Sequence, residues 1–544
     1  MSISKTNNAN FFKNKKVLVL DDCQIILNAT RLMLVRHGCA PNNIILVKNA
    51  KTALSACTTH KFDFILCDYN LGSGSDGLQL IEELNKKNLL PENTVVFVVT
   101  GEMSKSVFYG FSEYEPDGYL IKPLNINSIV TRLINCYRQK QVVKKVRNTY
   151  LKEGKQSAFE MCKKYEKAPA VAYIKARIYE DEKDFAAAQK IYINLIKNND
   201  SKARLLLATL LLNEKIYDMA LKVIEPLIKD KKFRFNALQI QSKCFLKQNK
   251  MQDALDALLA ICEISSNNVE RLLCVYNLSL QLDQSDLLPI LSNKINTRLT
   301  NSIWNTVDYS LNSARCHLIC AEKEQDPLKR NTHLMEFKKR LKLTEKQFRL
   351  SDYQFHRDLL NCRFQLLNGK IKDALAIYQA YLDENQLKTH DFYAYLDEQH
   401  IMQSLGKKRE ILLPPLTTSD LDLTKKSLLN SQEQFQRTRD NKITLLKREA
   451  AMASQTDDFI SVVNQWLAIW ELKPFEINSA LALIKSFSNA LPMSVPITKL
   501  KQVYFEANQT VELSLSKAQR PLWFVETNQN VKQAIDQLET HSCH

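Results

Sequence analysis

Glycine is scarce in this chain, with ten residues among 544, and its distribution is uneven. Seven glycines lie at or before Gly118, and the remaining three are Gly154, Gly369 and Gly406. Tight turns between strands and helices often require glycine, whereas helices packed side by side need little of it. The distribution therefore predicts a chain that begins as an α/β domain and continues as helices.

Long apolar runs and closely spaced cysteines are also lacking. No stretch approaches the ~18 consecutive apolar residues that a membrane-spanning helix needs, and residues 1–10 are polar. The 13 cysteines are scattered, form no CxxC pair and often stand at apolar positions, as Cys67 and Cys244 do. Such cysteines are typical of buried, reduced thiols. We therefore expect a cytoplasmic protein without a membrane span.

Motifs of catalytic and DNA-binding domains are lacking too. The zinc-protease HExxH, P-loop GxxxxGK and esterase GxSxG motifs are absent, as are GGDEF-like and EAL-like motifs. No compact helix-turn-helix unit with a basic recognition helix stands out. These absences disfavour an enzyme of these classes and a standard transcription factor.

A net charge of +16 is present, and it suits an acidic partner such as nucleic acid, anionic lipid or an acidic protein. The basic residues are spread along the chain, with only short clusters at 144–147 and 338–340. A diffuse excess is more typical of solvated helical surfaces than of a nucleic-acid footprint. Nucleic-acid binding is therefore kept only as the alternative.

Five short apolar runs alternate with amphipathic patterns in the first 138 residues. The predicted strands are 16–20, 44–47, 62–67, 94–99 and 119–121. The predicted helices are 25–36, 50–59, 77–87, 104–112 and 126–138. Alternation at this length predicts a parallel, doubly wound sheet, in which functional residues gather at the carboxyl ends of the strands.

Four of these strands end in residues suited to phosphoryl transfer. Asp21 and Asp22 follow the first strand, Asp68 the third, Thr100 the fourth and Lys122 the fifth. Three carboxylates in one place repel one another unless a cation compensates them, and Mg²⁺ prefers such oxygen ligands. Asp68 can then attack phosphorus as the nucleophile, while Lys122 and Thr100 stabilise charge on the phosphoryl oxygens.

The motifs VLVLDD, ILCDYN, FVVTGE and DGYLIKP stand at these strand ends. Through them the segment 14–138 resembles the receiver domain of two-component response regulators. The resemblance implies a flavodoxin-like α/β fold with a five-stranded parallel sheet, and transfer of phosphate to Asp68 from a histidine kinase or phosphotransfer protein. It implies that Asp21, Asp22, Asp68 and the backbone carbonyl of Asn70 bind Mg²⁺. It also implies that the protein is no enzyme beyond its own phosphorylation and dephosphorylation.

The resemblance further implies a switch, in which Thr100 moves toward the phosphoryl group and the Tyr119 ring rotates inward behind it. Asn70 and Glu102, two positions beyond Asp68 and Thr100, influence the access of water in this family. Polar and acidic groups there predict a short-lived phosphate. The loop NLGSGSDG lacks the usual Met-Pro pair, and with EYEPDGYLIKP it resembles VieB-type regulators of three-component systems.

Behind this domain, a small residue recurs twelve positions before an alanine that follows a polar turn. The pairs are Ala176 with Ala188, Ala208 with Ala220, Ser242 with Ala254, and Cys362 with Ala374. From Ala188 to Ala220 to Ala254 the steps are 32 and 34 residues, close to the ~34-residue tetratricopeptide period. Small side chains let antiparallel helices approach closely. The pattern predicts a tetratricopeptide-like superhelical array, with generic helix-hairpin packing as the alternative.

These observations predict a domain order and a class of output. The predicted segments are a tail at 1–13, a receiver domain at 14–138, a helical linker at 139–167, tetratricopeptide-like repeats at 168–409, an exposed helix or linker at 410–458 and a C-terminal helical region at 459–544. Helical arrays present concave surfaces to proteins, so we expect phosphorylation to gate a protein partner, such as the sensor kinase or a sibling response regulator. The alternative is a phosphorylation-controlled nucleic-acid-binding regulator, and a homo-oligomer is left open.

Overall fold

The computed structural model describes residues 11–542 except 73, 102–104, 123–125, 167, 169, 385–389 and 408. The chain divides into two compact units. The first unit contains the residues up to Leu278 together with Lys294–Asn305. The second unit contains Ser279–Asn293 and the residues from Thr306 onward.

The first unit begins with a five-stranded sheet. The strands are β1 (Val17–Leu20), β2 (Ile44–Val47), β3 (Phe64–Asp68), β4 (Val95–Thr100) and β5 (Gly118–Ile121). Their spatial order is β2-β1-β3-β4-β5, and every neighbouring pair is parallel. The predicted α/β fold is confirmed, and each strand begins and ends within two residues of its predicted bounds.

Helices cover both faces of this sheet. They are α1 (Gln24–Arg36), α2 (Ala50–Thr59), α3 (Gly77–Lys86), α4 (Lys105–Ser112) and α5 (Ile126–Glu153), with a short 3-10 helix at Pro41–Asn43 before β2. Because side chains alternate along a strand, Val17 and Val19 lie in one hydrophobic core, and Leu18 and Leu20 lie in the other. Both faces are therefore buried, as expected of a parallel sheet.

Helix α5 is longer than its sequence pattern predicts. The predicted end at residue 138 is wrong, because the helix continues to Glu153. No glycine or proline occurs between Ile126 and Glu153, so the backbone has no reason to end the helix earlier. The helix ends at Glu153, and the next residue, Gly154, has a left-handed φ of 84°. Beyond residue 138 its apolar side chains, among them Val146, pack against the helices that follow instead of the sheet.

Helical hairpins follow in the first unit. The helices are α6 (Lys155–Lys164), α7 (Ala170–Asp181), α8 (Phe185–Lys197), α9 (Ser201–Asn213), α10 (Tyr217–Ile228), α11 (Arg234–Lys247), α12 (Met251–Ile264) and α13 (Val269–Gln281). The last of these helices, α13, begins in the first unit and ends in the second. The alanines predicted at the helix crossings, Ala176, Ala188, Ala208 and Ala220, are fully buried in one core. The predicted tetratricopeptide-like array is confirmed for this region.

The turns inside these hairpins repeat as well. Lys183, Lys215 and Asn249 adopt left-handed φ values of 60°, 63° and 59°. They are 32 and 34 residues apart, which are the same steps as those between the buried alanines. Left-handed backbone is uncommon for residues other than glycine, although asparagine tolerates it. Because these turns use residues other than glycine, the distribution of glycine does not reveal them in the sequence.

The second unit consists mainly of helices. The helices from residue 287 onward are α14 (Leu287–Leu299, which ends in the first unit), α15 (Val307–Ser310), α16 (Asn312–Lys323), α17 (Pro327–Glu345), α18 (Leu350–Leu367), α19 (Ile371–Glu384), α20 (Phe392–Ser404), α21 (Asp420–Gln455), α22 (Phe459–Leu472), α23 (Ile477–Phe487), α24 (Ile497–Ser514) and α25 (Phe524–Ser542). None of the described helices is long and apolar enough to cross a bilayer. The described cysteines are all free, and most are buried.

Candidate functional site

The carboxyl ends of four strands meet at one edge of the sheet. The register places Asp68 of β3 beside Val99 of β4, and Thr100 beside Ile121 of β5. On the other side of β3 lies β1, and Asp21 directly follows it. Because all neighbours are parallel, residues that end or follow these strands come together at this edge. The predicted site residues of the four strands are therefore neighbours.

Three carboxylates and one ammonium group form a cluster there. One oxygen from each of Asp21, Asp22 and Asp68 lies within 4.8 Å of the others. Asp21 and Asp68 are buried, and Asp22 is exposed. Lys122 Nζ lies 2.7 Å from Asp21 Oδ2 and 2.9 Å from Asp68 Oδ2. The lysine thus bridges the ends of β1 and β3 from its place after β5.

Burial and ion pairing act in opposite directions on these groups. Burial raises the pKa of the Asp68 carboxyl above its ordinary value, and the hydrogen bond from Lys122 only partly offsets this effect. Burial alone would lower the pKa of Lys122, but its bonds to Asp21 and Asp68 hold that pKa above its ordinary value. Lys122 is therefore a cation at neutral pH, placed where negative charge would develop at Asp68.

The donor set fits a small divalent cation. Mg²⁺ takes hard oxygen ligands and usually retains several waters. Asp21, Asp22 and Asp68 supply carboxylate oxygens within 4.8 Å of one another, and the exposure of Asp22 leaves one side open to water. The predicted fourth ligand is the backbone carbonyl of Asn70, an exposed residue two positions beyond Asp68. Receiver-type acidic pockets usually bind Mg²⁺, and the individual ligands stay a prediction.

The two predicted switch residues lie on adjoining strands. Thr100 is buried at the end of β4, and its carbonyl accepts a hydrogen bond from Lys122 N at 3.0 Å. Tyr119 lies in β5, and its hydroxyl donates to the carbonyl of Phe108 in α4 at 3.1 Å. Burial raises the pKa of Tyr119, so its hydroxyl is a neutral donor. Strand β5 thus connects the charged cluster to α4.

The residues predicted to control phosphate lifetime are only partly described. Asn70 is exposed, and its side-chain oxygen accepts a hydrogen bond from Gly72 N at 3.2 Å. Glu102 lies outside the described residues, as does Pro123, which follows Lys122. The influence of Asn70 and Glu102 on water access therefore stays a prediction.

The residues that start α3 against the site are not among those predicted from the sequence. The Asp76 carboxylate accepts from Gln79 N at 2.8 Å, and the Gln79 side chain accepts from Asp76 N at 3.0 Å, which makes a capping box. A Cβ atom on Gly77 would lie 2.0 Å from the carbonyl oxygen of Asp68, so glycine is required there. An aspartate three residues before a glutamine and ahead of an apolar helix was the signal that could have marked this start.

Gly77→Ala is expected to lower the free energy of unfolding of the α/β domain by about 1–3 kcal/mol, because the methyl group overlaps the Asp68 carbonyl and forces the backbone to shift. Hydrogen exchange of β3 amides under increasing urea measures the loss. Gly101→Ala is the matched control, because a Cβ atom there meets nothing within 4 Å. Equal losses in the two variants would contradict the steric explanation.

A five-stranded parallel sheet with an acidic cluster and a lysine at its carboxyl edge defines the receiver class of α/β domains. Comparison with known families agrees, because residues 17–134 match the response regulator receiver domain and residues 136–275 match a tetratricopeptide repeat-like domain. The chain therefore contains a response regulator receiver domain followed by a tetratricopeptide-like helical domain. The resemblance seen in the sequence is confirmed at this level, while the VieB-type subgroup stays a prediction.

Solved receiver domains are similar to the first part of the chain. The receiver domain of a Francisella response regulator is 27% identical and covers 23% of this chain and 98% of its own, at a TM-score of 0.21. A chemotaxis protein of Vibrio cholerae is 21% identical and covers 22% of this chain and 98% of its own, also at a TM-score of 0.21. A CheY-like receiver protein of Methanospirillum hungatei is 23% identical and covers 23% of this chain and 96% of its own, at a TM-score of 0.22. No curated protein matches this chain.

Proposed function

We propose that this protein is a response regulator of a two-component phosphorelay, in which Asp68 accepts a phosphoryl group from a histidine kinase or a phosphotransfer protein. The observation that carries the proposal is the position of Lys122, 2.9 Å from Asp68 Oδ2, beside the carboxylates of Asp21 and Asp22. The match of residues 17–134 to the receiver family supports it. Free, mostly buried thiols support a cytoplasmic location.

The chemistry of the transfer follows from the charges at the site. An oxygen of the Asp68 carboxylate attacks the phosphorus of the donor, so a P–O bond to Asp68 forms as the bond from phosphorus to the donor atom breaks. The Lys122 ammonium neutralises part of the charge on the phosphoryl oxygens, and the Thr100 hydroxyl donates to another of them. Mg²⁺, held by the three carboxylates and the Asn70 carbonyl, would supply further charge neutralisation when bound.

After the transfer, the same residues change partners. Lys122 exchanges its bridge between the two buried carboxylates for the phosphoryl oxygens. Thr100 moves toward the new group, and Tyr119 rotates inward behind it. The polar side chains of Asn70 and Glu102 favour attack by water, so the phosphate is short-lived. The switch is therefore a local electrostatic change that biases a two-state element.

The output is an interaction with another protein. Neither matched family is catalytic, and helical arrays of this kind present extended surfaces for proteins. We propose that phosphorylation gates binding of the array to the sensor kinase or to a sibling regulator, so that the protein modulates phosphotransfer. The net charge of +16 favours a second candidate, a nucleic-acid-binding regulator. Binding to DNA or RNA that falls steeply with salt would support that second candidate.

Acetyl phosphate with Mg²⁺ is expected to add one phosphoryl group to the full chain, detected by intact mass and lost in alkali as an acyl phosphate is. Excess EDTA is expected to slow labelling by at least about a hundredfold, because the carboxylates then face the anionic donor uncompensated. Addition of excess Mg²⁺ should restore the rate. Labelling that is absent with Mg²⁺, or unchanged by EDTA, would contradict the proposal.

A further inference from the structure

Within the first unit, the receiver domain is bonded to other helices of the chain, and the first bonds come from the loop after β3 and the start of α3. Ser75 Oγ donates to the carbonyl of Asn301 at 2.7 Å. Gln79 Nε2 donates to the carbonyls of Arg298 and Thr300, each at 3.2 Å. The loop that follows the phosphoacceptor is therefore attached directly to the end of α14.

Helix α3 continues this contact. Trp304 Nε1 donates to Glu82 Oε1 at 2.8 Å, and Glu82 is buried. On the same ring, Lys86 Nζ lies 3.0 Å from the centroid, in the position of a cation–π contact. One tryptophan thus pairs with both an anionic and a cationic side chain of α3, which fixes its orientation on the receiver.

A third group of contacts comes from α4 and the residue that follows it. The Tyr109 ring stacks on Phe235 of α11, with centroids 5.4 Å apart and planes at 25°. The Glu113 carboxylate accepts hydrogen bonds from Arg271 and Asn268. The side chains of Glu113 and Arg271 are only 8% and 7% exposed. A buried ion pair is costly to desolvate and requires both partners in place, so it specifies one docked geometry.

Short links attach these contacts to the phosphorylation site. Gly77, at the start of α3, touches the Asp68 carbonyl so closely that a Cβ atom would lie 2.0 Å from it. Tyr119 bonds the carbonyl of Phe108, one residue before Tyr109, and the two rings of Tyr119 and Phe108 lie 4.6 Å apart. The strand ends are therefore connected to the docked residues through α3 and α4.

A docked residue also lies beside the phosphorylation site. A groove opens beside Asp22 and is lined by Lys48, Lys51, Gly72 and Asn301. Asn301 belongs to the docked segment at the end of α14. A phosphodonor that approaches along this groove would therefore contact a docked residue.

We propose that these contacts form a clamp that is closed while Asp68 carries no phosphate and that phosphorylation loosens. The receiver clamp is defined by Ser75, Gln79, Glu82, Tyr109 and Glu113. The proposal rests on the proposed function of Asp68. In the docked geometry Lys122 bridges the two buried carboxylates, and its transfer to a phosphoryl group alters the strand ends that carry both α3 and α4. Loosening uncovers the array surface around Phe235 and Arg271 for a protein partner.

Linkage makes this coupling reciprocal. If phosphate weakens docking, docking must weaken the affinity for phosphate by the same factor. Beryllofluoride with Mg²⁺ is a non-covalent mimic of the phosphoryl group and allows an equilibrium measurement. A variant that does not dock is therefore expected to bind beryllofluoride about tenfold more tightly than the wild type.

The experiment measures hydrogen exchange in α4 and around residues 298–304 of the full chain, with and without Mg²⁺ and beryllofluoride. In the wild type, beryllofluoride is expected to speed exchange about tenfold. Arg271→Ala is expected to exchange rapidly without it and to bind it more tightly. Lys247→Ala, which removes an exposed charge from α11, is the matched control and should behave as the wild type. Glu113→Ala repeats the test from the receiver side if the arginine variant fails to fold.

The outcomes separate the clamp from the proposed function. Normal phosphorylation of the wild type with unchanged or slower exchange in beryllofluoride would overturn the clamp alone. Equal beryllofluoride affinities of the wild type and both clamp variants would overturn it as well. If the wild type neither takes up phosphate nor binds beryllofluoride, the proposed role of Asp68 fails, and the clamp fails with it.

Discussion

Asp68→Asn is expected to slow phosphorylation of the full chain by acetyl phosphate by at least about a thousandfold, the scale of loss when a catalytic nucleophile is removed. The amide has nearly the shape of the carboxylate, so the fold is kept, but it has no anionic oxygen to form the bond to phosphorus. Intact mass at several times after mixing gives the rate. Circular dichroism of the variant checks that the sheet is unchanged.

Asp63→Asn is the matched control for this experiment. Asp63 directly precedes β3, at the opposite end of the strand from Asp68, where it accepts hydrogen bonds from Lys16 N at 3.0 Å and Tyr137 OH at 3.2 Å. Removal of its charge should leave the labelling rate unchanged. If Asp68→Asn labels as fast as the wild type, the acceptor lies elsewhere, and the role assigned to Asp68 is wrong.

The site was predictable because each of its parts has a local signal. A short apolar run identifies a strand, and the residue that follows it identifies what the strand presents at its carboxyl end. Asp21, Asp68, Thr100 and Lys122 were each found in this way, and the parallel topology brings them together without further information. Residue order and strand order therefore sufficed to predict which side chains meet.

The contacts between distant segments had no such signal. Glu113 and Arg271 are 158 residues apart, Glu113 directly after α4 and Arg271 within α13, and a charged residue at either place would ordinarily be solvated. The full length of helix α5 lacks a clear signal for a related reason. Its apolar face leaves the sheet near residue 138 and then packs on α6 and α7, so the pattern changes where the backbone does not. The spacing of apolar residues along a helix depends on what the helix packs against. A change of packing partner can therefore look, in the sequence, like the end of the helix.

A buried network of charges in the second unit was equally invisible in the sequence. The Asp397 carboxylate accepts from Arg315 Nε at 2.6 Å and from Arg363 Nη1 at 2.7 Å, and it is 1% exposed. Burial would raise the pKa of Asp397, but the two guanidinium groups hold it below its ordinary value. The arginines pair in turn with Asp308 and Glu322, each at 2.8 Å. The Asp397 carboxylate thus joins α20 to α16 and α18, and Asp308 joins α15 to the same network through Arg315.

Asp397→Ala is expected to lower the free energy of unfolding of the second unit by about 3–5 kcal/mol, because two buried guanidinium groups lose the carboxylate that compensates their desolvation. Urea unfolding followed by tryptophan fluorescence measures the loss. Three of the four tryptophans, Trp466, Trp470 and Trp523, lie in the second unit, so the signal reports mainly on it.

Glu433→Ala is the matched control, because it removes an exposed ion pair instead of a buried one. Comparison of the two losses in the free energy of unfolding shows how much of the effect of Asp397→Ala is due to burial. Glu433 lies 3.8 Å from Arg437 on α21, and the two side chains are 64% and 81% exposed. Solvent screens such a pair, so its removal should cost less than about 0.5 kcal/mol. A loss below about 1 kcal/mol for Asp397→Ala would mean that water reaches the arginines when the carboxylate is gone. A large loss in Asp397→Ala beside a small one in Glu433→Ala would show that burial, and not the number of ion pairs, sets how strongly these helices hold one another.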